Sequence, residues 1–306
     1  MPDLREHLTS PQMLERMAEL VAERPDLKVT FYILRNHDRV PEWAQSVGVA
    51  LDPRLRALVP PLPPSELREI VADRDLELFL WTGYLDAERI LELYAEHGPD
   101  RPRPRILDFG CGCGRLTRFL NALADRCEIH AADANGRHAE WCAENLPGVQ
   151  TVHNAPSPPL PYAEATFDLV YTVSVLTHLD AAAGARWLAE LERVLAPGGV
   201  LVATTHGPVA LEIIRDSPTH QEMFALTASE AQGILDGFAE RPFAFRPYGR
   251  AAVEAANAGP GYGNSFMHPR YIEREWTRGR LELLRLLPGG LRGWQDLVVL
   301  RRPPRP

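Results

Sequence analysis

The run Ile106-Leu107-Asp108-Phe109-Gly110-Cys111-Gly112-Cys113-Gly114-Arg115 constrains this chain more than any other segment. It enters as an apolar strand, passes one acidic residue, and turns through three alternating glycines into the amphipathic pattern Leu116-Thr117-Arg118-Phe119-Leu120. Glycines so placed let the backbone take positive φ and approach a ligand where a Cβ would clash. Strand, glycine turn and helix start together predict a nucleotide-type ligand loop in an α/β chain.

Spacing bears on which nucleotide. A dinucleotide fingerprint, G-x-G-x-x-G, would put its third glycine at position 115, which is Arg115. The pattern is instead D-x-G-x-G-x-G, and a carboxylate at Asp108 repels a pyrophosphate but favours a ligand carrying an ammonium and a sulfonium. Here the chain resembles the class I S-adenosylmethionine (SAM)-dependent methyltransferases. Three more segments follow in that family's order. Cys127 to Ala132 reads as a second strand ending at Asp133 and Ala134, with Asp133 placed 19 residues after Gly114. An acid about 20 residues beyond the loop suits the ribose hydroxyls of SAM or NAD alike; the same Asp133 also reads as a helix N-cap. Val152 to Tyr162 and Phe167 to Leu179 read as strand, proline-stiffened loop and strand. Glu190 to Gly207 resembles the helix, Pro-Gly-Gly turn and fifth strand of the same fold.

The resemblance implies a Rossmann-like seven-stranded class I methyltransferase sheet, with a mostly helical N-terminal extension (1–104) and a SAM-binding core (105–207). A substrate-shaping insertion after the fifth strand (208–268) and a C-terminal helix with a final β-hairpin (269–306) complete it. It implies that Asp108 and the backbone of Gly110, Cys111, Gly112 and Gly114 hold the amino-acid end of SAM. Asp133 with Ala134 would take the ribose, Asn154 and Ala155 the adenine, and Ser174 and Val175 would pass the methionine chain. Within the insertion, Glu222 to Leu235 and Arg250 to Ala256 look helical; Pro288-Gly289-Gly290 suits the turn of the closing hairpin, and Pro269 to Thr277 a helix. Ahead of the core, Pro11 to Arg24 looks helical, Val29 to Leu34 is ambiguous, and Ser65 to Val71 and Leu76 to His97 read as helices.

SAM carries an activated methyl group, so the expected work of the protein is to align a nucleophile and exclude water, releasing S-adenosylhomocysteine. A hydroxyl acceptor needs a base. His206 after the fifth strand, His178 after the fourth and His268 after the insertion are the candidates, each with the alternative of a scaffold histidine. Tyr32, Tyr84 and Tyr262 are weaker ones. The end of the fourth strand, Thr172-Val173-Ser174-Val175, lacks both the Asn/Asp-Pro-Pro-aromatic motif of enzymes methylating DNA-base amines and the acid of magnesium-dependent catechol-type enzymes. No metal is expected, and the four cysteines show no metal-quartet or disulfide spacing.

A net charge of −8 argues against a broad phosphate-binding face, so the expected partner is a small-molecule acceptor rather than nucleic acid. No signal pattern or long uncharged apolar span suggests a membrane, and a cytoplasmic location is expected. The segments around Pro158, Ser174 and Trp294 resemble bacterial small-molecule methyltransferases of saccharide or secondary metabolism. The leading expectation is O-methylation of such a molecule. Small-molecule N-methylation, a noncatalytic SAM-binding scaffold and a dehydrogenase are the competing readings.

Overall fold

A computed structural model describes residues 61–71, 76–255 and 261–304. Tyr32, the stretch Pro11 to Leu34 and the Tyr84 side chain lie outside what is described. Two helices, α1 (Ser65–Val71) and α2 (Leu76–His97), precede strand β1 (Arg105–Phe109). Short helix α3 (Thr117–Leu120), β2 (Glu128–Asp133), α4 (Gly136–Asn145), β3 (Val149–His153) and β4 (Phe167–Thr172) follow. Helix α5 (Ala181–Val194) leads into β5 (Leu195–Thr205).

The central strands are apolar because they are buried on both faces, as parallel strands under helices must be. Along β1, Ile106 packs into one apolar layer while Leu107 and Phe109 pack into the other, following the two-residue period of a strand. Seven strands form one sheet in the order β3-β2-β1-β4-β5-β9-β8, the first five parallel; β8 (Glu282–Leu291) and β9 (Gln295–Arg301) close it antiparallel. The strand order reverses between β1 and β4. Loops leaving those neighbours diverge, opening a crevice at the carboxyl ends of the strands.

Several local expectations change. Strand β4 stops at Thr172, and Leu176–His178 form a 3-10 turn, because Ser174 takes a left-handed φ of 58° that breaks the extended run. Pro288-Gly289-Gly290 is not the hairpin turn: the register between β8 and β9 shifts there, and the chain reverses at Arg292-Gly293-Trp294, where Arg292 and Gly293 have positive φ. The segment from Pro269 is a single α-turn (α10, Pro269–Tyr271) running into a π-helical turn to Trp276. After β5, residues 208–267 form α6 (Pro208–Asp216), α7 (Pro218–Phe224), α8 (Ala228–Gly237) and α9 (Arg250–Ala255). With them come two unforeseen antiparallel strands, β6 (Phe243–Pro247) and β7 (Gly263–Met267). Bridges Leu179–Tyr262 and His206–Phe266 lay this pair over the ends of β4 and β5.

Helix α2 is fastened to the core by a buried ion cluster. Asp86, fully buried, pairs with Arg115 just past the glycine loop (2.7 Å) and with Arg292 in the β8–β9 turn (3.1 Å), while Thr82 accepts from Arg115 (3.1 Å). One carboxylate thus joins the helix, the loop and the hairpin. Removing it would leave two guanidinium groups facing each other with little water. Asp86→Ala should therefore cost about 3–5 kcal/mol in urea unfolding; a loss below about 1 kcal/mol, the range of an exposed pair, would contradict this reading.

Candidate active site

Gly110, Gly112 and Gly114 have φ of 79°, 54° and 77°, a left-handed backbone that side chains resist. Space excludes a Cβ as well. At Gly110 it would overlap the Val175 side chain, and at Gly112 it would come within 2.6 Å of Val71. The loop is tied to β2: Gly110 N–H donates to Ala132 O (2.8 Å) and Gly112 N–H to Asp133 Oδ2 (2.7 Å). Asp133 Oδ1 accepts from Asn135 N–H (2.7 Å), and Asn135, rather than Asp133, caps α4 by accepting from Arg137 N–H.

A cavity of about 200 Å³ lies at the crevice. Gly110, Gly112, Asp133, Ala134, Asn154, Ser174, Val175 and His178 line it, so residues from the ends of four strands meet there. Tyr262, from the connection into β7, also reaches it. Asn154 donates from Nδ2 to Ala155 O (2.7 Å), but its Oδ1 is buried and has no hydrogen-bond partner among the described residues. A buried acceptor left unpaired costs about 1–3 kcal/mol, so this oxygen suits a ligand donor such as an adenine amino group. The glycine cradle, the Asp133 carboxylate and this amide oxygen together fit an adenosine-bearing ligand.

Other predicted cofactor residues lie behind this wall. Asp108 is 4% exposed and accepts from Thr117 Oγ1 (2.5 Å); burial pushes its carboxyl up to about 6, against the Thr117 bond, which lowers it. Cys111 is buried, and its Sγ and that of Cys142 both reach Gly112 O at 3.4 Å. The backbone of Gly114 faces Leu146 and Cys142. Neither these three nor Ala155 is among the cavity-lining residues. Val71, Asn135, His138 and Trp187 line it without having been singled out for it. Trp187 on α5 also covers the sheet: its ring lies 4.6 Å from that of Phe109. The one available signal for His138 was its place in the first turn after Asp133; its Nδ1 lies 3.7 Å from Asp133 Oδ1.

The three histidines part company. His178 lines the cavity, and its Nδ1 lies 3.0 Å from Gly263 O and 3.2 Å from the Tyr248 hydroxyl, which itself donates to Asn264 Oδ1 (2.6 Å). A ring that donates from Nδ1 to a carbonyl carries its lone pair on Nε2. Burial lowers the basicity of His178 and the Gly263 bond partly restores it. His206, expected beside the acceptor, is 1% exposed and stacks on Trp294 (5.2 Å), with Phe224 and Phe266 also against it. The insertion and the final hairpin close over the end of β5, which the strand pattern did not reveal. His268, also expected at the acceptor, caps α10 by accepting from Arg270 N–H (3.2 Å), against Phe238 and away from the cavity.

Burial, then the neighbouring His178, lowers the His206 ring to about 3. The unfolded chain takes up a proton near pH 6.5 that the folded chain refuses, so the contribution of neutral His206 is complete above pH 6.5 and fades toward pH 3. Buried Asp108 and Asp296, both pushed up to about 6, act with the opposite sign, losing their contribution as pH rises through 6. Comparison with His206→Phe cancels them. The stability advantage of the native chain over that variant should fall by roughly 1.4 kcal/mol per pH unit between pH 6 and 4; a constant difference would contradict the burial of a neutral ring. At the loop, Gly110→Ala should weaken S-adenosylhomocysteine binding by calorimetry at least about tenfold, the equivalent of ~1.4 kcal/mol. Unchanged affinity would mean that the loop conformation is not needed.

The family model described as a methyltransferase domain matches residues 107–203. Over 203 residues the chain is 31% identical to the malonyl-(acyl-carrier protein) O-methyltransferase of Enterobacter lignolyticus (strain SCF1), covering 61% of this chain and 76% of that protein. Its counterpart in Halorhodospira halophila (strain DSM 244 / SL1) is 29% identical over 224 residues, 64% of this chain and 72% of that protein. A dimethylglycine N-methyltransferase of Parasynechococcus marenigrum (strain WH8102) is 36% identical over 104 residues, 32% of this chain and 36% of that protein. The family match spans the glycine loop, and with the first of these relatives 31% identical and covered over 76% of its length, the chain belongs to the class I SAM-dependent methyltransferases.

Proposed function

We propose that this enzyme methylates a hydroxyl of a small molecule, a sugar or secondary metabolite, with His178 as general base and without a metal. The observation that carries the reading is the position of His178 on the cavity wall with Nδ1 committed to Gly263 O. When bound, SAM supplies an activated methyl group. The adenine end would meet Asn154 Oδ1, the ribose Asp133, and the backbone of Gly110 and Gly112 would lie along the remainder. His178 Nε2 would then accept the proton of the acceptor hydroxyl as its oxygen becomes the nucleophile. Burial keeps the ring neutral at pH 7, which a base requires.

Residues 208–268 are the substrate-shaping part in this reading. Tyr248 and Asn264 stand behind His178, and Tyr262 lies beside it with ring centres 5.5 Å apart. Among the described residues no helix is long and apolar enough to cross a membrane. With the net charge of −8, a small acceptor in the cytoplasm fits better than a polyanion. The named relatives modify different atoms of different molecules, so relatedness alone does not choose the acceptor.

Labelled methyl transfer from SAM into a metabolite extract, followed by identification of the labelled product, tests the reading. An O-methylated small molecule is the expected product; an N-methylated product, or label on protein or nucleic acid, would overturn it. With that acceptor, His178→Ala should lower turnover by about 10²- to 10⁴-fold while S-adenosylhomocysteine affinity stays within about threefold. The native rate should rise with pH below 6.5 and level off above it, since only the neutral ring accepts a proton. Full activity of the variant would remove His178 from the chemistry.

A further inference from the structure

Ser174 is one of four described non-glycine residues with positive φ, at 58°, and it lines the cavity. Backbone strain of this kind persists where the surroundings over-determine it. Here the surroundings are polar and come from two other strands. Ser174 N–H donates to Thr204 Oγ1 (2.8 Å) on β5. Its Oγ accepts from Nε2 of Gln295 (2.9 Å), the first residue of β9, which is 1% exposed. The same Gln295 Nε2 lies 3.3 Å from His206 Nε2. An amide nitrogen has two protons and no lone pair to offer, so one proton goes to Ser174 Oγ and the other to His206 Nε2. In that arrangement the proton of His206 sits on Nδ1.

Packing holds the arrangement. His206 stacks on Trp294, the residue before Gln295, and Phe224 and Phe266 close the remaining sides. With the His206 proton on Nδ1, turning the amide would set its oxygen against the lone pair of His206 Nε2, so the arrangement with Nε2 toward both neighbours is the one kept. The hydroxyl oxygen is therefore filled from behind. Among the described residues its own proton has only the longer 3.3 Å contact with Gln295 Oε1, and it can turn from there toward an oxygen in the cavity.

We infer that His206 and Gln295 are positioning residues that act through Ser174, holding its hydroxyl as a donor to a carboxylate oxygen at the amino-acid end of SAM. The inference rests on that end of the cofactor lying by the end of β4. A donor suits the carboxylate and not the ammonium or sulfonium, and Ser174 is the only hydroxyl side chain of the 173–179 stretch on the cavity wall. His206, buried and away from the cavity, thus bears on ligand binding at a distance of two hydrogen bonds, and proton transfer has no part in its role.

Calorimetry with two ligands tests this without an acceptor. S-adenosylhomocysteine has the amino-acid end, and 5′-methylthioadenosine lacks it. Ser174→Ala, Gln295→Leu and His206→Phe should each weaken S-adenosylhomocysteine about tenfold, the scale of one hydrogen bond to a charged group, and leave 5′-methylthioadenosine within about twofold. His206→Gln, whose amide oxygen can accept from Gln295, should recover most of the loss. Equal losses for both ligands would reduce the three residues to scaffold and overturn the inference, as would a loss in Ser174→Ala that Gln295→Leu does not share. Failure of the native protein to bind S-adenosylhomocysteine would instead strike at the cofactor assignment. Because His206→Phe disturbs a packed cluster, the Gln295→Leu result decides should that variant fail to fold.

Discussion

The hydrogen bond from Gly112 N–H to Asp133 Oδ2, 2.7 Å long, ties the loop after β1 to the end of β2, and the geometry of the cavity depends on it. A left-handed glycine loop has no side chains with which to hold itself, so its shape must be imposed by what its backbone bonds to. Asp133 does this with one oxygen and with the other accepts from Asn135 N–H, fixing the residue that caps α4. A carboxylate has about four lone-pair sites and these bonds use two, which leaves acceptor capacity for ribose hydroxyls. In the proposed cofactor pose, one side chain carries both a structural and a ligand-binding role.

Around this tie the chain divides its labour by strand order. Strands β1 to β4 bring to the crevice the groups suited to a cofactor, because their carboxyl ends lie along one edge of the sheet, beside the point where the order reverses. Segments added after β5 support the wall of that crevice from behind. The β6–β7 pair sets Tyr248 and Asn264 behind His178, and the β8–β9 hairpin sets Gln295 behind Ser174. A third connection, Asp86 between Arg115 and Arg292, joins α2 to both the loop and the hairpin. Such a buried carboxylate is costly to desolvate and costlier to remove, so it specifies how these elements dock more than it adds net stability.

What the sequence made legible was local. The glycine loop and the strand ending at Asp133 were readable because each depends on spacing within one strand–loop unit, and Asn154 after β3 was singled out through the family resemblance. Contacts between distant segments were not readable. His206 follows a central strand and looked exposed to the acceptor, but Trp294 and Phe266, 88 and 60 positions away, cover it. Arg115 counted in the sequence only as a missing third glycine; its ion pair with Asp86 required knowing where α2 lies. Pro288-Gly289-Gly290 carried the stronger turn signal, yet the register of β8 against β9 put the reversal at Arg292-Gly293, where Arg292 also meets Asp86.

The account makes the Asp133 carboxylate both the anchor of the glycine loop and the receiver of the ribose. Calorimetric titration of S-adenosylhomocysteine into Asp133→Ala measures both at once. Affinity should drop by at least about a hundredfold, ~2.7 kcal/mol, since loop shape and ribose contacts are lost together. Affinity within about threefold of the native protein would contradict the account, placing the cofactor away from the ends of β1 and β2.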